Sequence, residues 1–205
     1  MIRQILTAAV FLVITGLCVQ VYVAEHRARD HPMHSDARWI IAPDADAVDR
    51  VLDTPAAGQL AGSFLRSQNP FDPGSPSASL RRAGAPVLVY ATDPKFAGGA
   101  DSTLRSAGMP SYLAVPVHIG SRSGIDMLQL TPSPPYSPQA IAAGTEEAEA
   151  ARALTPGARL LLDYPSHTWF GWTETRVTAI RSNTDGDLAG KVFDTGQFKQ
   201  WLASR

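Results

Sequence analysis

From Ile5 to Ala24 the chain reads ILTAAVFLVITGLCVQVYVA, without a charge and with only Thr7, Thr15 and Gln20 as polar interruptions. About 20 residues at ~1.5 Å rise make a helix of about 30 Å, the thickness of a bilayer's hydrocarbon core. Such a run cannot be spread over the surface of a water-facing domain, so it divides the chain. The expected organisation is a cytoplasmic tail over 1–4, a transmembrane anchor over 5–24, a juxtamembrane linker over 25–37 and one globular domain over 38–205.

An uncleaved anchor fits better than its main rival, a cleaved secretory signal. A signal has a shorter apolar core, roughly 7–15 residues, and small residues before the cut. Cleavage after Ala24 puts the bulky Tyr22 at one of those positions, and cleavage after Ala28 puts His26 there. The flanking charges nearly balance, with Arg3 before the segment and Arg27 and Arg29 after it. The single cysteine, Cys18, lies inside the apolar run, so the rest of the chain has no thiol to oxidise. The domain is therefore expected outside the cytoplasmic (inner) membrane, and the bilayer is its first partner through residues 5–24.

The remaining length suits one domain with a core of its own. A net charge of -1 argues against a nucleic-acid partner. Residues 38–42 read as a short strand stopped by Pro43. Asp44 caps an expected helix to Leu52, and a second helix is expected over 56–66 despite Gly58 and Gly62. Residues 69–79 carry loop chemistry. Pro86–Ala91 and Tyr112–Ile119 read as strands, the latter with a hairpin partner over Ile125–Leu130, and a short helix is expected over 101–107. Residues 131–138, TPSPPYSP, form a loop, and a helix is expected from Pro138 to Leu154. Ala158–Tyr164 and Thr173–Ile180 are expected to pair across an aromatic turn over 165–171. Asp194 and Gln197 form a capping box ahead of a helix whose apolar stripe is Phe198, Trp201 and Leu202. Without strict strand–helix alternation, the fold class is α+β, with a mixed or antiparallel sheet and flanking helices.

Chemistry-bearing residues are few. Asp93 follows a buried strand, a common place for a catalytic carboxylate, and His118 at the end of the next strand is its candidate acid–base partner. His26, His31 and His34 cluster in the linker among acidic residues and are candidate metal ligands, without matching a strong metal signature. Ser121 and Ser123 flank Arg122 between Gly120 and Gly124, so this is no nucleophile elbow, which needs serine at the centre. Pro134, Pro135 and Tyr136 in the proline-rich loop, and Trp169, Phe170 and Trp172 in the aromatic turn, are candidate contact residues. For the aromatics, folding into the core is the competing and commoner fate. No cofactor is expected.

A tethered domain without a strong catalytic motif reads first as a non-enzymatic subunit or adaptor of a bacterial-type envelope assembly, in contact with other membrane or envelope proteins. The alternatives are a membrane-tethered hydrolase using Asp93 and His118, and a ligand-binding sensor domain.

Overall fold

Local chemistry sets the helix starts. In the computed structural model, which describes residues 39, 42–69 and 76–205, Asp44 caps α1 (Ala45–Leu52) by accepting from Ala47 N at 3.0 Å. Thr54 caps α2 (Pro55–Gln68), whose first residue is a proline that needs no hydrogen-bond donor there. Asp93 caps the short α3 (Pro94–Gly98). Asp194 and Gln197 close the expected capping box at α5 (Thr195–Ser204), and α4 spans Glu146–Arg152. The histidines of the linker and the apolar run 5–24 lie outside the described residues. Among the described residues, no helix is long and apolar enough to cross a membrane.

The described strands form one nine-stranded sheet. They are β1 (Leu80–Arg82), β2 (Val87–Thr92), β3 (Gly108–Ile119), β4 (Asp126–Leu130), β5 (Pro138–Ala142), β6 (Arg159–Asp163), β7 (Thr168–Trp172), β8 (Val177–Ser182) and β9 (Val192–Phe193). Their order is β5-β4-β3-β2-β6-β7-β8-β9, with β1 paired to β3. Two antiparallel runs meet at the parallel pair β2–β6, where Tyr90 lies opposite Leu161. The sheet is thus mixed and the class α+β, as expected. Pro116 sits inside β3 with its main-chain edge toward the gap between β1 and β2, where its carbonyl accepts from Ala83 N. A backbone donor is not required at that gap, which removes the usual objection to proline within a sheet.

Alternation sorts the core onto two faces. Leu113, Val115 and Val117 of β3 pack with Val48, Val51, Ala61 and Phe64 of α1 and α2. Phe170 and Trp172 of β7 pack with Phe96 of α3 and Phe198 and Leu202 of α5. Leu88 touches both groups, so both lie on one face of the sheet. On the opposite face Tyr112, Ala114, Leu160, Leu162 and Trp169 pack against Ala150 of α4.

Three expectations are corrected. Residues 138–154 are not one helix: Gly144, at φ +95°, divides them into edge strand β5 and helix α4. The turn over 165–171 contracts to the residues before Thr168, and the aromatics form β7, which separates β6 from β8. Every residue of β7 is buried, so it lacks the alternation that marks a half-exposed strand. The helix expected over 101–107 is one 3-10 turn, Leu104–Ser106.

Candidate functional site

The carboxyl ends of parallel strands are where α/β sheets place polar chemistry. Thr92 ends β2 and Asp163 ends β6, and the two are hydrogen-bonded at 2.8 Å. Asp163 is 0 % exposed. It accepts also from Ser166 N at 3.2 Å and Ser166 Oγ at 2.6 Å, and Arg205 Nη1 donates to it at 2.6 Å. Hydroxyls extend the network. Ser166 Oγ lies 2.9 Å from Thr168 Oγ1, which donates to Ser182 Oγ at 2.9 Å, and Thr184 Oγ1 donates to the Ser166 carbonyl at 3.1 Å.

A serine hydroxyl on a carboxylate is one part of a nucleophile relay, but a relay needs an imidazole at the serine. The neighbouring His167, at φ 46°, instead places Nε2 3.0 Å from Glu146 Oε2. The carboxylate is held by a guanidinium and three further donors, a set that suits a structural anchor for the β6–β7 turn and the end of α5.

Asp93 lies beside this network, yet its side chain accepts from Lys95 N at 2.8 Å as a helix cap. His118 pairs across β1 with Arg81, and its Nδ1 lies 3.2 Å from the Gly124 carbonyl. Thr92 is opposite Gly108, and His118 is ten residues further along the same strand, about 33 Å at the rise of a β-strand. The structure does not bring Asp93 and His118 together, and they cannot share a proton.

Of the candidate contact residues, Trp169, Phe170 and Trp172 are between 0 and 2 % exposed. They are core and present no surface to a partner. Trp172 Nε1 donates to the Leu104 carbonyl at 2.6 Å. Pro134 and Pro135 are exposed. Tyr136 is half-buried against the core group that α1 and α2 share with the sheet, and its hydroxyl accepts from Asp44 N at 3.4 Å.

A second cluster has no counterpart in the sequence reading. Arg159, at the start of β6, places its guanidinium 3.9 Å from the ring centroid of Trp39, 4.6 Å from that of Tyr90 and 5.2 Å from that of Trp172. Its Nε donates to the Trp39 carbonyl. The Trp39 indole donates to the Gly157 carbonyl at 3.0 Å and meets Trp172 edge-on at 4.9 Å. Burial lowers the Arg159 pKa, against the opposing influence of Tyr90 and Glu174, and burial raises that of Tyr90. Trp39 and Arg159 are 120 residues apart, so no local pattern links them.

Among the described residues no group of acidic, histidine or cysteine side chains is placed to hold a metal ion. Compared with known proteins, the chain matches no family model, no curated protein and no solved structure.

Proposed function

We propose that this chain is a single-pass, membrane-anchored, non-enzymatic subunit or adaptor of a bacterial-type envelope assembly. In this reading residues 1–4 are cytoplasmic, 5–24 span the inner membrane, and the domain stands outside it. The observation that carries the reading is the uncharged apolar run from Ile5 to Ala24 ahead of a folded domain. Between Ala24 and Trp39 lie 14 residues, whose greatest reach is about 50 Å, so the domain works near the bilayer surface. Tethering raises its effective concentration toward other membrane proteins.

The residues first considered for catalysis are committed elsewhere in the domain, Asp93 to a helix cap and His118 to a loop carbonyl. That favours a contact role over the hydrolase. The contact region in this reading is the loop 131–138, where Pro134 and Pro135 are exposed. The test is purification of the full-length protein from mildly solubilised membranes, with alkaline phosphatase or a fluorescent protein fused after Arg205 to report orientation. A stoichiometric envelope partner lost on Pro134→Ser/Pro135→Ser, with an active phosphatase and a dark fluorophore, is the expected result. A chain found in the soluble fraction, or the reverse fusion pattern, overturns the reading.

A further inference from the structure

The described sheet ends at β9, a strand of two residues whose outer side pairs with no other described strand. Ala179 N donates to the Lys191 carbonyl, and Val177 and Thr178 lie opposite Phe193 and Val192. Main-chain groups alternate along an antiparallel ladder, so Val192 turns both its N–H and its C=O off the edge. With Val192 56 % exposed, this edge is an open template for one more strand. Together β9 and α5 line a groove of about 410 Å³, within the ~300–1,000 Å³ of ligand clefts. Its floor is aromatic: Phe193 and Trp201 meet at 6.2 Å, and Trp201 stacks on Phe198 at 5.9 Å. Gln197, Gln200 and Ser204 add polar groups, and Lys191 is the sole charged residue of the lining.

We propose that β9 and α5 form a docking groove for an extended peptide that carries an apolar residue and, two positions later, a carboxylate. The peptide adds to the sheet antiparallel to β9, and its central residue exchanges both main-chain hydrogen bonds with Val192. Its two flanking residues then lie opposite Phe193 and Lys191 and point their side chains to the α5 side. The first rests on Phe193 and Trp201, where aromatic surface gives most per contact. The second brings its carboxylate to Lys191. Charge selects this occupant over a second copy of the same edge, which would bring another lysine and no acid, and lysine at an edge is a device against such self-pairing. This groove is distinct from the loop 131–138 and serves a partner whether or not residues 5–24 span a membrane.

The test titrates the full-length protein in mild detergent against a fluorescent, end-blocked peptide with the core Thr-Phe-Thr-Glu-Thr and follows anisotropy. Saturable binding is expected. Val192→Pro removes the outward N–H at an edge position where proline is tolerated, and is expected to weaken binding about fivefold or more. Lys191 is exposed, so Lys191→Glu leaves the fold intact. That variant is expected to bind the peptide about tenfold more weakly and to regain affinity for a peptide with lysine in place of the glutamate. No saturable binding to the wild type up to about 1 mM overturns the proposal. So does equal affinity of wild type and Lys191→Glu for both peptides. A dimer in sedimentation equilibrium that Val192→Pro returns to monomer overturns it as well, because the occupant is then a second copy.

Discussion

Removing the Arg205 side chain tests whether the last turn of α5 is anchored or frayed. Helix ends ordinarily fray, and surface ion pairs contribute about 0–1 kcal/mol. Arg205 is placed differently. Its partner carboxylate is 0 % exposed and its own side chain 23 %, with both Asp163 oxygens 2.6 Å from Nη1. Arg205→Met leaves Asp163 with the Thr92 and Ser166 donors but no countercharge. Breaking a buried pair from one side costs about 3–5 kcal/mol. For a domain of this length that corresponds to a fall in Tm of about 10 °C, at ~2–4 °C per kcal/mol. Thermal melts by circular dichroism and urea titration read the loss. Asp163→Asn added to Arg205→Met removes the stranded charge, so the double variant is expected to be no less stable than Arg205→Met alone. A loss below about 0.5 kcal/mol for Arg205→Met refutes the reasoning, because it means that water already solvates the pair.

Other outcomes follow from single contacts. A Cβ at Gly62 would stand 2.5 Å from the Pro76 carbonyl oxygen, so Gly62→Ala is expected to destabilise by about 1–3 kcal/mol in urea despite the better helix propensity of alanine. Asp93→Ala removes the α3 cap and is expected to cost about 1 kcal/mol by the same assay, with Asp93→Ser recovering most of it. Burial, and then Glu147, raise the Tyr112 pKa well above the ordinary tyrosine value. The folded state therefore holds that proton more tightly than the unfolded chain. The associated stability is complete below the unfolded pKa of about 10 and is lost as pH rises beyond it toward the folded value. Tyr112→Phe is expected to flatten the decline in stability above pH ~10, and an unchanged decline rejects that origin.

Features written into neighbouring residues were legible in the sequence. Asp44, Asp194 with Gln197, and the hairpin that turns over residues 120–124 are local signals, and each appears where expected. Gly58 and Gly62 looked like defects in α2, whereas they let the chain at Pro76–Ala78 approach its backbone, with Ala78 N donating to Gly58 O at 3.0 Å. Strand β7 was hidden because Trp169 and Phe170 serve opposite cores, which erases the period of two. The end of β2 was singled out through Asp93 as a catalytic position, and Asp93 stands there as a helix cap. The buried carboxylate there is Asp163, whose partner Arg205 lies 42 residues away, beyond any spacing rule.

Trp39 and Arg205, the first and last described residues, both return to the same strand. Trp39 is held by Arg159 and Arg205 by Asp163, the first and last residues of β6, about 13 Å apart. The backbone from 39 to 205 is thus almost a closed ring, buckled on its most central strand. Rings of this kind tolerate being cut elsewhere. A permuted chain that joins Arg205 to Trp39 through a short glycine linker and opens in the exposed turn 121–124 is expected to fold to the same sheet.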